Sequence, residues 1–230
     1  MATWTSEHAE KMLKKWGDPR EPYEYWWSWK KLLLSEVKNL IIGGDVLDVG
    51  CGVGHMYALM DQPYTGVDFP DLVEACKKLF PEGDFRIGEI DNLGKFSVYD
   101  IVTCISTLIH LPGDLGDYLN KLREHSRKQL IFTLFLPESR ERTWTTSNIY
   151  GIGVPITGHI WSREQVRNAV EKLKPDALKT RLVMDGVRAS VIYSLTWNNG
   201  FEAPLVDEVP QRSLNPVPVV PVAPVLAGVA

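Results

Sequence analysis

The chain has few cysteines for its length: its 230 residues contain three, Cys51, Cys76 and Cys104. An odd and sparse count excludes a disulfide framework of the kind that staples small secreted domains. None of the three lies in a spacing typical of zinc ligands, so we expect no metal site. Reduced thiols fit the cytoplasm, which is the compartment we predict.

The chain also lacks an excess of positive charge, a long apolar run and an apolar leader. Its formal net charge is −4 at pH 7, which argues against a protein that wraps duplex nucleic acid. A local basic group at 121–128 leaves RNA open as a partner. No stretch approaches the roughly 20 apolar residues that span a bilayer, and the first residues do not resemble a signal peptide, so we expect no membrane partner.

Short apolar runs alternate with helix-like segments over most of the chain. Runs without polar alternation, such as 100–105 and 129–136, are typical of parallel strands covered by helices on two sides. We therefore predict a doubly wound α/β fold with its ligand at the carboxyl ends of the strands. The predicted strands are 46–49, 64–68, 85–87, 100–105, 129–136, 178–184 and 189–197.

Changes in composition divide the chain into three parts. Residues 1–44 are predicted to form an N-terminal helical lid or cap, and residues 45–200 the α/β domain. Residues 201–230, in which prolines interrupt a Val/Ala string, are predicted to be a tail or docking arm. Within the domain, residues 137–161 show no clear periodicity and are predicted to be a long loop, which would be a second candidate lid.

A glycine-rich turn after the strand at 46–49 is the segment that we expect to carry the chemistry. Glycine permits positive φ and close approach of a ligand to the main chain. A helix predicted over residues 55–60 would add free N–H groups at its start. The turn is therefore expected to hold a polar small molecule. Its glycines are Gly50, Gly52 and Gly54.

An acid follows the next predicted strand. Asp68 lies 20 positions after Asp48, where a carboxylate can accept hydrogen bonds from ribose hydroxyls, so a nucleoside-containing ligand is predicted. The pattern typical of dinucleotide binding requires a third glycine at position 55, which is His55 here. A nicotinamide oxidoreductase is therefore disfavoured.

At these residues the chain resembles the class I S-adenosylmethionine-dependent methyltransferases. Residues 48–54 match the family's first motif, Asp68 matches its ribose acid, and residues 99–112 look like its fourth-strand motif, which often ends in His-Leu-Pro. Glu89 stands where the family usually has an aspartate near the adenine amino group, and neighbouring Asp91 competes with it for that role. Asp48 could contact the methionine end of the cofactor, stabilise the glycine turn, or do both.

The resemblance has consequences for fold and ligand. It implies a Rossmann-like sheet of seven strands, mostly parallel, with an antiparallel last strand and helices on both faces. It also implies S-adenosylmethionine as cofactor and S-adenosylhomocysteine as product. The implied cofactor-binding residues are Asp48, Gly50, Cys51, Gly52, Gly54, Asp68, Phe69, Glu89, Ile90 and Ile105.

His110, at the end of the fourth-strand motif, is the predicted catalytic residue. An imidazole with a pKa near 6.5 could take a proton from an acceptor, and a structural histidine is the alternative interpretation. Aromatic faces could stack on a planar acceptor or attract a cationic amine. The predicted substrate-binding residues are Trp26, Tyr150, His159 and Trp161.

The methyl acceptor is inferred by elimination. Ile105 to Leu108 stand where amino-base DNA methyltransferases have an Asn/Asp-Pro-Pro-aromatic signature, and no appended basic domain is present. Ser106 and Thr107 replace the paired acids of aminopropyl transferases, which resemble the same fold. A small-molecule acceptor is therefore predicted. An RNA or protein methyltransferase and a non-catalytic domain that binds the cofactor or a partner remain the alternatives.

Overall fold

The computed structural model describes residues 6–20, 28–111, 113–146, 156–184 and 189–198. Single turns of 3₁₀ helix lie at Tyr57–Leu59 and Leu108–His110, and a longer 3₁₀ segment at Ile90–Lys95. The helices are α1 (Ser6–Trp16), α2 (Ser28–Leu40), α3 (Pro70–Leu79), α4 (Leu115–Glu124) and α5 (Arg163–Lys172). The strands are β1 (Val46–Val49), β2 (Tyr64–Asp68), β3 (Asp84–Ile87), β4 (Tyr99–Cys104), β5 (Ser126–Phe135), β6 (Arg142–Thr146), β7 (Ile156–Ile160), β8 (Ala177–Met184) and β9 (Ala189–Thr196).

Seven strands form the main sheet, in the order β3-β2-β1-β4-β5-β9-β8. Strands β1 to β5 pair in parallel, whereas β9 is antiparallel to both of its neighbours, β5 and β8. The strand order reverses between β1 and β4, which is the crevice where doubly wound sheets bind their ligands. The predicted fold class, including the antiparallel last strand, is confirmed.

Helices cover both faces of this sheet because its strands present apolar residues on both faces. In β1, Leu47 and Val49 pack in one buried cluster with residues of α4 and α5, whereas Val46 packs in a second cluster with residues of α2 and α3. All four residues of β1 are buried. Side chains of a strand alternate between its two faces, so Asp48 lies on the α2 side, together with Val46.

The helix starts follow the capping residues in the sequence. The Ser162 Oγ accepts a hydrogen bond from the Gln165 N–H at 3.2 Å, as expected for the predicted N-cap of α5. The Asp114 carboxylate accepts from the Asp117 N–H at 3.1 Å at the start of α4. Pro70 is at the first position of α3, where its missing N–H costs nothing.

The helix predicted over residues 55–60 is wrong. A single 3₁₀ turn, Tyr57–Leu59, takes its place, with the Leu59 N–H bonded to the Met56 carbonyl at 3.0 Å. The segment is too short for an α-helix, because Gly54 has a φ of +87° on one side and Pro63 disfavours helix on the other. The turn therefore lacks the helix over residues 55–60 whose N–H groups were expected to contribute to ligand binding.

The long loop predicted over residues 137–161 is also wrong in part. Arg142–Thr146 and Ile156–Ile160 pair as the antiparallel strands β6 and β7, which form a separate two-stranded sheet. Their threonines are β-branched residues that favour strands, although they interrupt an apolar pattern. The segment is therefore a built element that can hold side chains in fixed positions.

Some of the predictions fall on residues outside those described. Trp26, Tyr150 and the tail at 201–230 are among them. Within the described part of the chain, no helix is both long enough and apolar enough to cross a lipid bilayer.

Candidate active site

The glycine turn lies at the carboxyl end of β1 and requires glycine for geometric reasons. Gly50, Gly52 and Gly54 have φ values of +82°, +60° and +87°. These values lie in the left-handed region, which side chains with a Cβ rarely adopt. A Cβ on Gly50 would lie 2.0 Å from the Thr107 Oγ1, so the turn is packed directly against the loop after β4.

The middle of the turn is more open. Among the described residues, the Met12 Cε of α1 is the one neighbouring atom within 4 Å of a Cβ built on Gly52, at 3.1 Å. A ligand that displaced this flexible methyl group could reach the main chain of the turn. The geometry therefore fits a cradle in which a small polar molecule contacts backbone atoms.

Asp68 connects the end of β2 to this turn. Its Oδ2 accepts a hydrogen bond from the Gly52 N–H at 2.7 Å, and its Oδ1 accepts from the Phe69 N–H at 2.8 Å. Burial raises the pKa of the carboxyl to about 7, although both N–H donors oppose this shift. A buried acid held in this way can accept further hydrogen bonds from hydroxyl groups, because each carboxylate oxygen has two lone pairs.

Asp48 lies beneath the turn, inside the sheet. It is 2% exposed, and its two oxygens accept hydrogen bonds from the Tyr64 hydroxyl at 2.6 Å and the Thr103 hydroxyl at 2.7 Å. Tyr64 belongs to β2 and Thr103 to β4, so Asp48 joins the three strands that carry the site. Burial raises the pKa of Asp48.

Lys30 of α2 is a residue that the sequence analysis missed. Burial lowers the pKa of its ammonium group to about 8, and the Asp48 carboxylate opposes this effect. The Lys30 charge also lowers the pKa of His55 and of His110. A signal was present in the sequence, because Lys30 lies three positions before Leu33 and seven before Val37, on the buried face of the helix.

The N-terminal segment contacts the glycine turn. The His55 Nε2–H donates to the Gly17 carbonyl at 2.9 Å, and burial lowers the pKa of His55 to about 3. At the start of α1, the Ser6 N–H donates to the Asp71 carboxylate at 2.8 Å. Helix α1 is therefore attached at both ends beside the turn, in the position that a lid would occupy.

The Cys51 side chain does not face the opening of the turn. Its thiol is buried in the cluster beneath α2 and α3, beside Cys76, which together with burial raises the pKa of Cys51. The Cys76 thiol donates to the Gly52 carbonyl at 3.1 Å. Any contact of Cys51 with a cofactor would therefore involve its main chain.

The residues predicted near the adenine lie at the end of β3 and just beyond it. Glu89 is exposed, and its N–H donates to the Asn92 side chain at 3.3 Å, whereas Ile90 is buried. Asp91 is paired with Lys121 of α4 at 2.7 Å and is therefore engaged elsewhere. The Glu89 side chain in turn caps the 3₁₀ segment at Asn92, so the two acids have different partners. Ile105, at the end of β4, is buried in the α2–α3 cluster.

His110 links the loop after β4 to the two-stranded sheet. Its Nδ1–H donates to the Thr157 carbonyl of β7 at 2.8 Å. A carbonyl oxygen can only accept, so the hydrogen must lie on Nδ1. Burial lowers the pKa of His110 to about 4, so the ring is neutral at pH 7. Any proton transfer to or from an acceptor would therefore involve Nε2.

His159 and Trp161 form an aromatic pair at the end of β7, with ring centroids 4.4 Å apart. Both are buried, and neither the His159 Nε2 nor the Trp161 Nε1 has a hydrogen-bond partner among the described residues. The His159 Nδ1 is 2.6 Å from the Thr143 hydroxyl. Buried polar atoms are almost always paired in native proteins, so these two neighbouring atoms are candidates for hydrogen bonds to a bound polar group.

Comparison with known proteins identifies the family. A family model described as a methyltransferase domain matches residues 23–173, more than half of the chain. The chain therefore belongs to this family, and it has the fold and motifs of the class I S-adenosylmethionine-dependent methyltransferases.

Two curated relatives are ubiquinone biosynthesis O-methyltransferases. That of Shewanella pealeana is 31% identical over 117 residues, which cover 45% of this chain and 50% of the relative. That of Nitrosospira multiformis is 29% identical over 122 residues, or 48% and 51% of the two chains. The chain thus spans about half the length of the curated relatives it matches.

Solved structures share the fold at low sequence identity. Magnesium protoporphyrin IX methyltransferase from Synechocystis, with bound S-adenosylmethionine, has a TM-score of 0.56 and 16% identity, over 85% of this chain and 99% of that chain. A glycopeptide N-methyltransferase complexed with the same cofactor has a TM-score of 0.57 and 12% identity, over 70% and 91%.

Proposed function

We propose that the protein transfers a methyl group from S-adenosylmethionine to an O, N or C atom of a small molecule. The observation that carries this proposal is the buried Asp68 carboxylate, hydrogen-bonded at 2.7 Å to the Gly52 N–H of the glycine turn. This contact combines an acceptor for ribose hydroxyls and a partly buried main-chain cradle at the ends of two adjacent parallel strands.

Each end of the cofactor has a complementary group in this proposal. Asp68 accepts hydrogen bonds from the ribose, and the main chain of residues 50–54 lies along the sugar and the methionine. The Lys30 ammonium, whose pKa is raised by the Asp48 carboxylate against the effect of burial, has the charge opposite to that of the methionine carboxylate. Asp48 acts mainly by holding β1, β2 and β4 in register. Phe69, Glu89, Ile90 and Ile105 surround the adenine.

The cofactor would supply a methyl group on a sulfonium, which is electrophilic without covalent help from the protein. The residues of this chain then contribute mainly by positioning the acceptor and excluding water. His110 is the catalytic candidate. With a pKa of about 4 it is neutral at pH 7 and a weak base, so it is best suited to orienting an acceptor.

The acceptor is proposed to be a small molecule. The relatives are named for ubiquinone biosynthesis, magnesium protoporphyrin IX and a glycopeptide, and this variety supports a small-molecule acceptor without fixing its identity. The net charge of −4 disfavours RNA. The His159 Nε2 and Trp161 Nε1 atoms, which have no hydrogen-bond partner among the described residues, are the groups that we assign to acceptor binding. We also propose a cytoplasmic location, because the three cysteines are free thiols.

The first experiment is a calorimetric titration with S-adenosylmethionine, S-adenosylhomocysteine and NAD. We expect the first two to bind and NAD not to bind. Asp68→Asn should weaken binding about 100-fold, since it removes a charged hydrogen-bond acceptor. Asp61→Asn is the matched control, because Asp61 is 84% exposed and pairs only with a surface lysine in the described contacts. A folded protein that binds neither S-adenosylmethionine nor S-adenosylhomocysteine would contradict the proposal.

A second experiment separates an enzyme from a binding domain. The protein is incubated with cofactor carrying a radioactive methyl group and with panels of phenols, amines, carboxylates, RNA and peptides. Transfer to a small molecule supports the proposal. Transfer only to RNA or peptide favours the alternative acceptor class, and cofactor binding without any transfer favours a non-catalytic domain.

A further inference from the structure

A cavity of about 590 Å³ lies outside the glycine turn, between the end of β5, the β6–β7 pair and the start of β9. In the main sheet, β5 is two strands away from β1, and the carboxyl ends of both face the same edge. The cavity therefore lies at the same edge of the sheet as the proposed cofactor site but is built from different residues. We call it the arginine–aromatic cavity, after the side chains of Phe135, Arg142, Trp144 and Arg163 in its wall.

One wall of the cavity is aromatic and fixed in position. The rings of Phe135 and Trp144 have centroids 5.6 Å apart. The indole of Trp144 lies directly over Gly158 of β7, where a Cβ would be 2.5 Å from the Trp144 Cζ2. A glycine opposite the tryptophan therefore provides the space that the ring needs. The wall offers a flat apolar surface suited to a planar ligand.

The charged side chains that line the cavity have a positive net charge. Arg142 lies with its guanidinium carbon 5.2 Å from the centre of the Trp144 ring and pairs with Glu138 at 2.9 Å. Arg163 donates from its Nε to the Pro137 carbonyl at 3.2 Å, a neutral acceptor. Two guanidinium groups thus face a single carboxylate in the described lining, which leaves one positive charge for a ligand to balance.

The cavity is also connected to the end of β4. The Ser106 N–H donates to the Thr133 hydroxyl of β5 at 2.7 Å, two residues before Phe135. His110 is bonded to Thr157 of β7, whose neighbour Gly158 supports the Trp144 ring. Hydrogen bonds therefore join the strands of the cavity wall to the loop that carries the proposed catalytic histidine, although none of that loop's residues is in the described lining.

We propose that the arginine–aromatic cavity is a recognition site for a planar aromatic carboxylate and holds the carboxylate end of the acceptor. Stacking on Trp144 and Phe135 suits the aromatic ring, and the fork of Arg163 suits a carboxylate. Arg142 remains paired with Glu138 and keeps the stacked geometry of the wall. The assignment to the acceptor rests on the proposed function, whereas the binding itself does not.

The test is calorimetry with 2-naphthoate and with 2-naphthamide, a neutral compound of nearly the same shape, in the presence and absence of S-adenosylhomocysteine. We expect the carboxylate to bind about tenfold or more tightly than the amide. Arg163→Gln should remove this preference, and Trp144→Ala should weaken both compounds. Arg181→Gln, an exposed arginine of β8 outside the cavity, is the matched control and should change neither.

Two further measurements keep the outcomes distinct. S-adenosylhomocysteine affinity should be unchanged in Arg163→Gln, which shows that the variant is folded. Arg142→Gln, at an exposed arginine, provides a second variant should Arg163→Gln fail to fold, and we expect it to weaken naphthoate severalfold. Equal binding of acid and amide, or equal behaviour of Arg163→Gln and Arg181→Gln, would overturn the proposal. If the protein bound naphthoate but not the cofactor, the cavity proposal would be supported and the proposed methyltransferase function would be contradicted.

Discussion

The two sides of the sheet edge differ in how they form a site. On the β1–β2 side, the geometry depends on main-chain conformation: three glycines with positive φ and an acid bonded to backbone N–H groups. On the β5–β7 side it depends on side chains, such as the His159–Trp161 pair and the arginine–aromatic cavity. Main-chain geometry permits few replacements, whereas side chains on strands can be exchanged individually. This difference explains how one family can keep its cofactor and vary its acceptor.

The largest loss of cofactor affinity and stability should come from a substitution at Gly50, in the glycine turn. Gly50→Ala places a Cβ 2.0 Å from the Thr107 Oγ1 in a backbone with φ of +82°. We expect cofactor affinity to fall about 100-fold or more and stability to fall by about 2–4 kcal/mol, from the combined strain and overpacking. Calorimetry and urea unfolding measure the two effects.

A paired control tests the cause of this loss. Gly94→Ala should change little, because a Cβ there meets nothing within 4 Å. Adding Thr107→Ala to Gly50→Ala should restore part of the stability, since it removes the two closest atoms but not the backbone strain. A Gly50→Ala protein with normal affinity would show that the turn is not the cofactor cradle.

The second effect concerns the charge on Asp68. With a pKa raised to about 7, its carboxyl is largely ionised above that pH and protonated below it. Ribose hydroxyls donate to the ionised form, so affinity for S-adenosylmethionine should fall by about tenfold per pH unit below 7. Calorimetry between pH 8 and about pH 5.5 covers the window in which Asp68 titrates. The residual affinity of Asp68→Asn should not vary in this way, and a parallel decline in both proteins would assign the effect to another group.

The sequence predicted the main-chain side more completely than the side-chain side. Gly50 and Asp68 follow from backbone conformation and strand order, which leave a strict local pattern in the sequence. The helical spacing places Lys30 on the buried face of α2, but this spacing alone does not distinguish a ligand-binding lysine from a structural one. The cavity beside β5 could not be predicted from the sequence, because the pairing of β6 with β7 is what brings Phe135, Trp144 and Arg163 together.

The two wrong predictions have the same origin. The pattern after Gly54 contains apolar residues that suit a helix, and it is overruled by the short distance to Pro63. The segment at 137–161 contains threonines and three glycines that suggest a loop, and this preference is overruled by cross-strand pairing, such as that of Trp144 with Gly158. In both cases a local preference lost to the geometry of neighbouring elements.

The third effect concerns His110, which joins the two sides. Burial holds the pKa of His110 near 4, against an ordinary value of 6.5, so the unfolded chain binds a proton that the folded chain does not. Stability should therefore fall as the pH drops below 6.5, by about 2 kcal/mol near pH 4.5 from this residue alone. Urea unfolding measures the loss. His110→Asn keeps a donor for the Thr157 carbonyl and should lose less stability over that range, although buried His55 will contribute a similar trend in both proteins.

The pH dependence of methyl transfer tests whether His110 acts as a base that titrates near neutral pH. A general base with a pKa near 6.5 would make the methyl-transfer rate rise between pH 5.5 and 7.5, about tenfold per unit at the acid end. A neutral His110 should leave the rate at saturating cofactor nearly flat over this range. A sigmoidal rise that disappears in His110→Asn would establish His110 as the base.

The smallest effects should come from the two acids after β3. Asp91 forms an exposed ion pair with Lys121, and such pairs contribute about 0–1 kcal/mol. Asp91→Ala should therefore leave cofactor affinity unchanged and lower stability by at most a few tenths of a kcal/mol. Glu89→Ala should weaken binding about threefold to tenfold, because an exposed acid can accept one hydrogen bond from the adenine amino group. Calorimetric titration of the two single variants and of the double variant with the cofactor shows which acid contributes to its affinity. If Asp91→Ala weakened binding more than Glu89→Ala did, the ion pair would have to open when the cofactor binds, and the adenine side of the site would be less fixed than its ribose side.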